Sequence, residues 1–355
     1  MSLDVLVIGA GPYGLAAAKA ARDLGLHTRV VGKPMSFWKE HMPAGMLLRS
    51  GPDWHLDPAS ELTFERFLGD DVPDPIPLDV FVAYAEWFQR EAGIAPEDET
   101  VVSLSRDLEA TFASGEIVRA RAVVAAPGIA RFTHRPEWAT DGVHTCDLVD
   151  FDALSGADVL IVGGRQSAYE WAALLVEHGA RAVHVVHRHP QPRFAKVSWR
   201  FVDPHVEDTL RVEGWWRKLP ESERARIAQR FWEVGRLTLE HWLEPRIRTV
   251  HAHANAEVSE TTSGQVRLSD GTRLAPDRIV LATGYRAAIA NVSYLPAVAA
   301  KDGFPVLDAA MQSSVPGLYL PGFAATQDFG PFFGFVKGAP AAATLIARDL
   351  ARRCI

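Results

Sequence analysis

Two segments of the chain carry the same local pattern, a short apolar strand followed by a glycine-rich turn and a helix. The first combines Leu3 to Ile8 with the turn at residues 9–14 (GAGPYG), and the second combines Asp158 to Val162 with residues 163–168 (GGRQSA). A continuous apolar run of this length is typical of a parallel strand buried on both faces. The repeat predicts two βαβ units, each with a turn that binds a dinucleotide.

The first turn has its three glycines at the spacing that pyrophosphate binding needs. Gly9 permits the tight bend, Gly11 lets the backbone approach the phosphates, and Gly14 lets the helix pack on the strand. Pro12 and Tyr13 lie between these glycines and are predicted to contact the cofactor as well. The alternative interpretation is a turn with a structural role alone.

The residue that would bind the adenosine ribose departs from the usual pattern. An acidic residue is expected after the second strand, about 20 residues beyond the turn. This chain has Gly32 and Lys33 there instead, following a strand predicted at Thr28 to Val31. Lys33 is therefore a predicted cofactor contact, and other ribose contacts must come from elsewhere in the chain.

The second turn replaces glycines with side chains. After Gly163, Arg165 occupies the position where the backbone would approach pyrophosphate, and its guanidinium could itself bind phosphate, with Gln166 and Ser167 beside it at the helix start. Arg188 ends the second strand of this unit, where a 2′-phosphate would lie, so NADP is favoured over NAD. A solvated strand end is the alternative for Arg188.

Composition limits the possible partners. The chain has 37 lysines and arginines against 44 acidic residues, a formal charge of -7, which predicts no binding of nucleic acid or of a membrane surface. Cys146 and Cys354 are far apart, which favours a reducing, cytoplasmic location and argues against a dithiol redox centre. No metal site is predicted, since His251 and His253 have no third ligand at a suitable spacing.

Four motifs give the sequence a family resemblance. They are GAGPYGL at 9–15, GGRQSAYE at 163–170, ATGY at 282–285 and VPGLYLPG at 315–322. With them the chain resembles, over nearly its whole length, the class B flavin-dependent monooxygenases, which include flavin-containing, N-hydroxylating and Baeyer–Villiger enzymes. Phe37–Trp38 and Met42–Pro43 are similar to the loop near the flavin in this group.

The resemblance implies FAD on the first turn and NADPH on the second. It also implies that NADPH reduces the flavin and that a peroxyflavin, formed with dioxygen, inserts one oxygen atom into a small amine, sulfide or ketone. It adds further residues to the predicted cofactor site: Trp38, Met42, Thr283, Gly284, Tyr285 and Gly322.

Four residues are candidates for the catalytic face of the flavin. Arg49 and Trp54 follow the loop near the flavin, and Gln327 and Asp328 follow the strand that leads to Gly322 and precede a glycine-rich helix start. A structural role is an equally good account of each one.

The predicted fold class is α/β, with two Rossmann-like, three-layer dinucleotide-binding domains, the NAD(P) domain inserted in the FAD domain. The predicted ranges are 1–152 and 286–355 for the FAD domain and 153–285 for the inserted domain, with a tryptophan-rich cap at about 193–245. A homo-oligomer is possible. Two other functions stay open: a flavin reductase or oxidase that inserts no oxygen, and a nucleotide-binding sensor without turnover.

Overall fold

The computed structural model describes residues 3–262 and 264–354. Its two largest sheets are each built around one of the apolar strands that precede the glycine turns. The strands are β1 (Leu3–Ile8), β2 (Thr28–Val31), β3 (Leu47–Leu48), β4 (Ile76–Pro77), β5 (Val101–Leu104), β6 (Glu109–Phe112), β7 (Ile117–Ala125), β8 (Val143–His144), β9 (Asp158–Val162), β10 (Ala182–His187), β11 (Arg193–Phe194), β12 (Thr238–Leu239), β13 (His251–Ala254), β14 (Val258–Thr262), β15 (Gln265–Leu268), β16 (Arg273–Leu274), β17 (Arg278–Leu281), β18 (Ala300–Lys301), β19 (Phe304–Pro305) and β20 (Leu318–Tyr319).

Helices connect these strands. They are α1 (Pro12–Asp23), α2 (Ser36–Glu40), α3 (Phe64–Leu68), α4 (Leu78–Glu91), α5 (Gln166–Glu177), α6 (Asp203–Arg211), α7 (Trp215–Lys218), α8 (Glu221–Gly235), α9 (Thr326–Phe329) and α10 (Ala339–Cys354). The predicted strands at 3–8, 28–31 and 158–162 match β1, β2 and β9. The helical spacing of apolar residues at 78–91 indicates an amphipathic helix, and α4 has these bounds.

The first sheet has the order β2-β1-β7-β6-β5, with β20 beside β7. The second half of β7 lies parallel to β1 and β20, and its first half pairs antiparallel with β6. Strands β5, β6 and β7 therefore form an antiparallel meander that returns to the first sheet. Helix α1 packs on α10 through alanines, among them Ala16, Ala20 and Ala343, whose small side chains let the two helices approach closely.

The second sheet has the order β13-β10-β9-β17-β8 and is parallel throughout. Its strands come from residues 143–281, between β7 and β20 of the first sheet. The predicted fold class, two dinucleotide-binding domains with one inserted in the other, is confirmed. The predicted domain boundaries stay a prediction, and the second sheet includes Val143–His144.

Two segments of this region depart in part from the pattern of their sequence. Short alternating stretches in 247–274 indicate hairpins, and β14, β15 and β16 do form an antiparallel meander, but β13 joins the second sheet parallel to β10. Residues 222–242 have the sequence of a single helix, but α8 ends at Gly235. Arg49 donates hydrogen bonds to the carbonyl oxygens of Gly235 and Thr238, at 2.6 and 2.9 Å, so this distant side chain satisfies the helix end.

Helices α6, α7 and α8 form the cap between β11 and β12, within the predicted cap range. Its aromatic rings pack on each other and on the first domain: the Trp199 ring lies 5.7 Å from that of Trp54 and 5.9 Å from that of Phe335, centroid to centroid. The cap therefore bridges the two sheets. In the described part of the chain no helix has the length and apolar character needed to cross a bilayer.

Candidate active site

One cavity of about 1210 Å³ lies where the two domains and the cap meet. Residues 9–14 of the first turn and 163–165 of the second turn form part of its wall. Both turns leave the carboxyl end of a parallel strand, which is where ligands bind in sheets of this kind. The two predicted nucleotide sites therefore open into a single space.

The first turn is held together by contacts that only glycine permits. Gly9 has φ +105°, and a Cβ built there would lie 2.3 Å from the carbonyl oxygen of Ala126. A Cβ on Gly14 would lie 1.8 Å from the carbonyl oxygen of Gly9. These two glycines are required by the fold itself, because the turn and the first helix pack directly on backbone.

Gly11 differs from both of them. Its backbone is extended, with φ -87° and ψ -173°, and a Cβ built there meets no heavy atom within 4 Å. Among the glycines of the described chain it is the one with neither a positive φ nor a neighbour that a side chain would touch. The fold does not require a glycine at this position, so the open space fits a pyrophosphate that must approach the backbone.

The second turn combines the same backbone with a charged wall. A Cβ on Gly163, where φ is +132°, would lie 2.4 Å from the carbonyl oxygen of Ala282. Arg165 is the N-cap residue of α5, and its guanidinium carbon lies 4.0 Å from the centre of the Trp232 ring of the cap. Ser167 also lines the cavity. The start of α5 thus presents a cation and a hydroxyl where an anion would sit.

More positive charge surrounds the second turn. Arg188 follows β10 and Arg286 follows β17, so the parallel sheet brings both to the same edge, and both line the cavity. Burial, followed by repulsion from Arg286 and Arg188, lowers the pKa of His134, and burial and Arg188 lower the pKa of Arg165. This cluster of like charges fits a phosphate-rich ligand such as NADPH.

The predicted contacts on the flavin side lie together on the cavity wall: Pro12, Tyr13, Trp38, Met42, Thr283, Gly284, Tyr285 and Gly322. The Tyr13 hydroxyl donates to the carbonyl oxygen of Phe335 at 2.7 Å and also to that of Phe333. This bond fixes the first turn against the segment that leads into α10. The Gly284 carbonyl accepts a hydrogen bond from the His134 backbone N–H at 2.9 Å, which joins the ATGY motif to the same wall.

One carboxylate lines the cavity near the end of β2, outside the position where the sequence pattern expects it. Lys33 lines the cavity but is exposed, and its ammonium forms an ion pair with Glu40 at 3.3 Å. Glu99 also lines the cavity, next to an isolated bridge between Val31 and Glu97. The Thr100 backbone N–H donates to its carboxylate, which lowers the pKa of Glu99 and keeps it ionised.

The four predicted catalytic residues separate into two groups. Trp54 is 4% exposed and lines the cavity, with the Lys337 ammonium 5.9 Å from its ring centre. The cavity wall does not include Arg49, Gln327 or Asp328. The Asp328 carboxylate accepts the Leu307 backbone N–H at 2.8 Å, and the Gln327 side-chain oxygen is buried without a hydrogen-bond partner among the described residues.

Arg49 belongs to a buried network that joins both domains to the cap. Its guanidinium pairs with Glu240 of the cap at 3.1 Å, and the Glu240 backbone N–H donates to the Gln166 side chain at 3.0 Å. Gln166 donates to Glu170 at 2.9 Å, and Glu170 accepts from Trp242 and pairs with Arg246. Burial raises the pKa of Glu170 and Glu240 and lowers that of Arg49, so each charge depends on its partner. Gln166 therefore faces this network rather than the cavity.

Several residues of the cavity wall were not predicted from the sequence: His41, Glu99, His134, Phe231, Arg236, Arg286 and Phe335. Arg286 directly follows the ATGY motif and could have been found from that position. The cap residues carry no motif, and the cavity acquires them only through the packing of α8.

One group of possible metal ligands lies at the cavity in the described chain. Ligand atoms of His41, Cys146 and Asp147 lie within 4.8 Å of each other. The His41 ring, however, is hydrogen-bonded to the Cys146 carbonyl at 2.8 Å, and burial raises the pKa of the Cys146 thiol to about 12. A protonated thiol is a poor ligand. The absence of a metal site stays a prediction.

Comparison with known proteins places this geometry in a family. The profile of the pyridine nucleotide-disulphide oxidoreductase family matches residues 3–217. The chain is 28% identical over 321 residues to indole-3-pyruvate monooxygenase YUCCA1 of rice (Oryza sativa subsp. japonica), covering 79% of this chain and 76% of that protein. It is 31% identical over 191 residues to ferredoxin–NADP reductase of Saccharopolyspora erythraea, covering 52% of this chain and 54% of that protein.

Among solved structures, the ornithine N-hydroxylase of Kutzneria sp. 744 superposes with a TM-score of 0.82 over 100% of both chains, at 16% identity. This likeness confirms the fold. A second ferredoxin–NADP reductase, from Shouchella clausii, is 24% identical over 335 residues, covering 92% of this chain and 86% of that protein, so the extent of the alignment does not separate the reductases from the rice monooxygenase.

Proposed function

Since the chain belongs to the pyridine nucleotide-disulphide oxidoreductase family, we propose that it is an FAD-dependent, NADPH-using monooxygenase that inserts one oxygen atom into a small amine, sulfide or ketone. The overall reaction consumes one NADPH, one proton and one dioxygen, and yields oxygenated product, water and NADP⁺. As predicted, FAD and NADPH are its cofactors and it is an oxidoreductase.

The observation that carries this proposal is the cap. Phe231, Trp232 and Arg236 of the cap line the same cavity as Gly11 and Gly163, so a third element covers the space between the two nucleotide sites. An aromatic-lined space beside both cofactors would hold a substrate there and limit the access of water. Electron transfer to a protein carrier needs no such pocket.

Each part of the chain has a role in this scheme. The first turn and Glu99 would hold FAD, with the Gly11 backbone facing its pyrophosphate. The start of α5, with Arg165 and Ser167, would hold the NADPH pyrophosphate, and Arg188 its 2′-phosphate. When bound, FAD supplies hydride acceptance from NADPH and the activation of dioxygen. Trp54 would position the substrate, and Arg49 would hold the cap in place through Glu240.

Isotope labelling tests the proposal. Purified enzyme would be supplied with NADPH, ¹⁸O₂ and a panel of amines, sulfides, ketones and 2-oxo acids, the last because the rice relative is named for indole-3-pyruvate. We expect one ¹⁸O atom in the product and little hydrogen peroxide for at least one compound. Stoichiometric hydrogen peroxide with every compound of the panel would contradict the proposal.

A second candidate is a reductase that passes electrons to a carrier without inserting oxygen. It is favoured by the similarity to ferredoxin–NADP reductases, which covers 52% of the chain in one relative and 92% in another. Ferredoxin would then be reduced by NADPH at a rate well above the rate of oxygen consumption. A ferredoxin rate no greater than that of free FAD would eliminate this candidate.

A further inference from the structure

Arg236 is a guanidinium on the cavity wall without an anionic partner. It follows α8, and its guanidinium carbon lies 5.2 Å from the ring centre of Phe335 and 5.5 Å from that of Trp232. Across residues 3–262 and 264–354, no carboxylate forms an ion pair with it and no oxygen accepts a hydrogen bond from its side chain. Arg49 and Arg246, by contrast, each pair with a glutamate. The five N–H donors of Arg236 are therefore free for a ligand.

The surroundings of Arg236 make an anion favourable there. Burial, followed by repulsion from Arg165 and Arg49, lowers the pKa of Arg236. A guanidinium nevertheless stays charged at neutral pH, so its positive charge is destabilised until an anion pairs with it. A carboxylate can accept two parallel N–H bonds from the planar guanidinium.

The position of Arg236 suits a substrate better than a nucleotide. The phosphate-binding groups lie on the two turns and at the strand ends, in Gly11, Arg165, Ser167 and Arg188. Arg236 comes from the cap and meets Phe335, the residue whose carbonyl oxygen holds Tyr13 of the first turn. It thus lies between the two nucleotide sites, where a substrate would meet the flavin.

Aromatic rings line the cavity near Arg236. Trp54, Phe231, Trp232 and Phe335 all line the cavity, and the Phe231 ring lies 5.4 Å from that of Phe335. Aromatic side chains provide a large contact area for an apolar ligand. The site therefore combines the unpaired Arg236 guanidinium with several aromatic rings. Arg165 contacts the same Trp232 ring and also has no ion pair among the described residues, so the nucleotide site is the alternative that the experiment must separate.

We propose that Arg236 binds the carboxylate of the substrate, and that the substrate class is an apolar organic acid whose body packs on Trp54, Phe231 and Phe335. This inference rests on the proposed function, in which the capped cavity holds the compound to be oxygenated. It deepens that function by requiring the oxygenated amine, sulfide or ketone to carry an acid group.

A binding experiment on the FAD-loaded enzyme tests the inference without requiring turnover. Indole-3-acetate, phenylacetate and hexanoate would be titrated against their neutral amides, with calorimetry and the flavin absorbance change as readouts. We expect at least one acid to bind about tenfold or more tightly than its amide. Arg236→Gln should remove this preference, and Arg236→Lys should retain part of it. The exposed cap residue Arg230 supplies the control, because Arg230→Gln should change nothing.

Two results would overturn the inference. The first is equal or undetectable binding of every acid and its amide, or a preference for acid that survives Arg236→Gln. The second is a loss of NADPH affinity in Arg236→Gln as large as that in Arg165→Gln, which would assign Arg236 to the nucleotide site. Failure of the proposed function has a different signature: acids would bind through Arg236, yet ¹⁸O₂ would yield only hydrogen peroxide.

Discussion

The two glycine turns have the same backbone but meet their ligands differently. The first exposes bare backbone at Gly11, with open space where a side chain would be. The second has Arg165 at the corresponding position, stacked on Trp232 of the cap. A binding site made of backbone alone does not depend on the position of the cap. An arginine that also contacts the cap couples nucleotide binding to the substrate region. The difference fits one cofactor that stays bound and one that enters and leaves with each turnover.

The two turns should differ most in their response to substitution at the last position of the turn. Gly14→Ala places a Cβ 1.8 Å from the Gly9 carbonyl oxygen, so α1 must move away from β1. We expect a loss of about 4 kcal/mol or more in the free energy of unfolding, measured by urea denaturation of the apoprotein. The second turn already has buried Ala168 there. Ala168→Gly should fold, and equal effects of the two changes would contradict the account.

The next largest effect should occur at Gly11. Gly11→Ala adds a methyl group to open space with an ordinary φ, so the apoprotein should keep its free energy of unfolding to within about 1 kcal/mol. FAD affinity should fall at least about tenfold, because the methyl group occupies the approach to the pyrophosphate. Quenching of FAD fluorescence on titration with apoprotein measures this. Unchanged FAD affinity would mean that the open space serves no ligand.

Replacement of Arg188 tests whether the second turn prefers NADPH to NADH. Arg188→Ala should raise the Kd of NADPH about tenfold to hundredfold and leave that of NADH nearly unchanged, because only NADPH carries the 2′-phosphate. Arg181→Ala is the matched control, since Arg181 is exposed and pairs with Asp158 and Asp277. Equal losses for the two nucleotides would refute the assignment of Arg188.

The smallest expected effect is at Glu99. Glu99→Gln removes a carboxylate from the cavity wall near β2 and should weaken FAD binding by about threefold to tenfold, as expected for one ribose hydrogen bond. Glu97→Gln is the control, because Glu97 pairs with Arg29 instead. The same FAD affinity in Glu99→Gln as in wild type would mean that the ribose is held by other groups.

Local patterns predicted the parts of the fold whose information is contiguous. β1, β9 and α4 follow from apolar periodicity, and both turns follow from glycine spacing. The end of α8 could not be predicted, because it depends on Arg49, which donates to the carbonyl oxygen of Gly235 and lies 186 residues earlier in the sequence. β13 was taken for part of a hairpin because four residues do not reveal whether their partner strand is parallel.

The candidate site was predictable to a similar extent. The nucleotide contacts lie within motifs, so Gly11, Arg165 and Tyr285 were found from sequence and lie on the cavity wall. Gln166 lies within a motif as well, yet its side chain faces the buried network. Arg236 and Phe335 carry no motif and become neighbours only when the cap packs on the first domain. This contact forms only in the tertiary structure, so no local sequence pattern predicts it.

The claim that two nucleotides face each other across one cavity is tested most directly by anaerobic titration of the purified holoenzyme with NADPH. The account predicts a yellow protein whose flavin absorbance bleaches completely with about one equivalent of NADPH, with NADH needing a much larger excess. A protein that binds FAD but is bleached by neither nucleotide would contradict the claim.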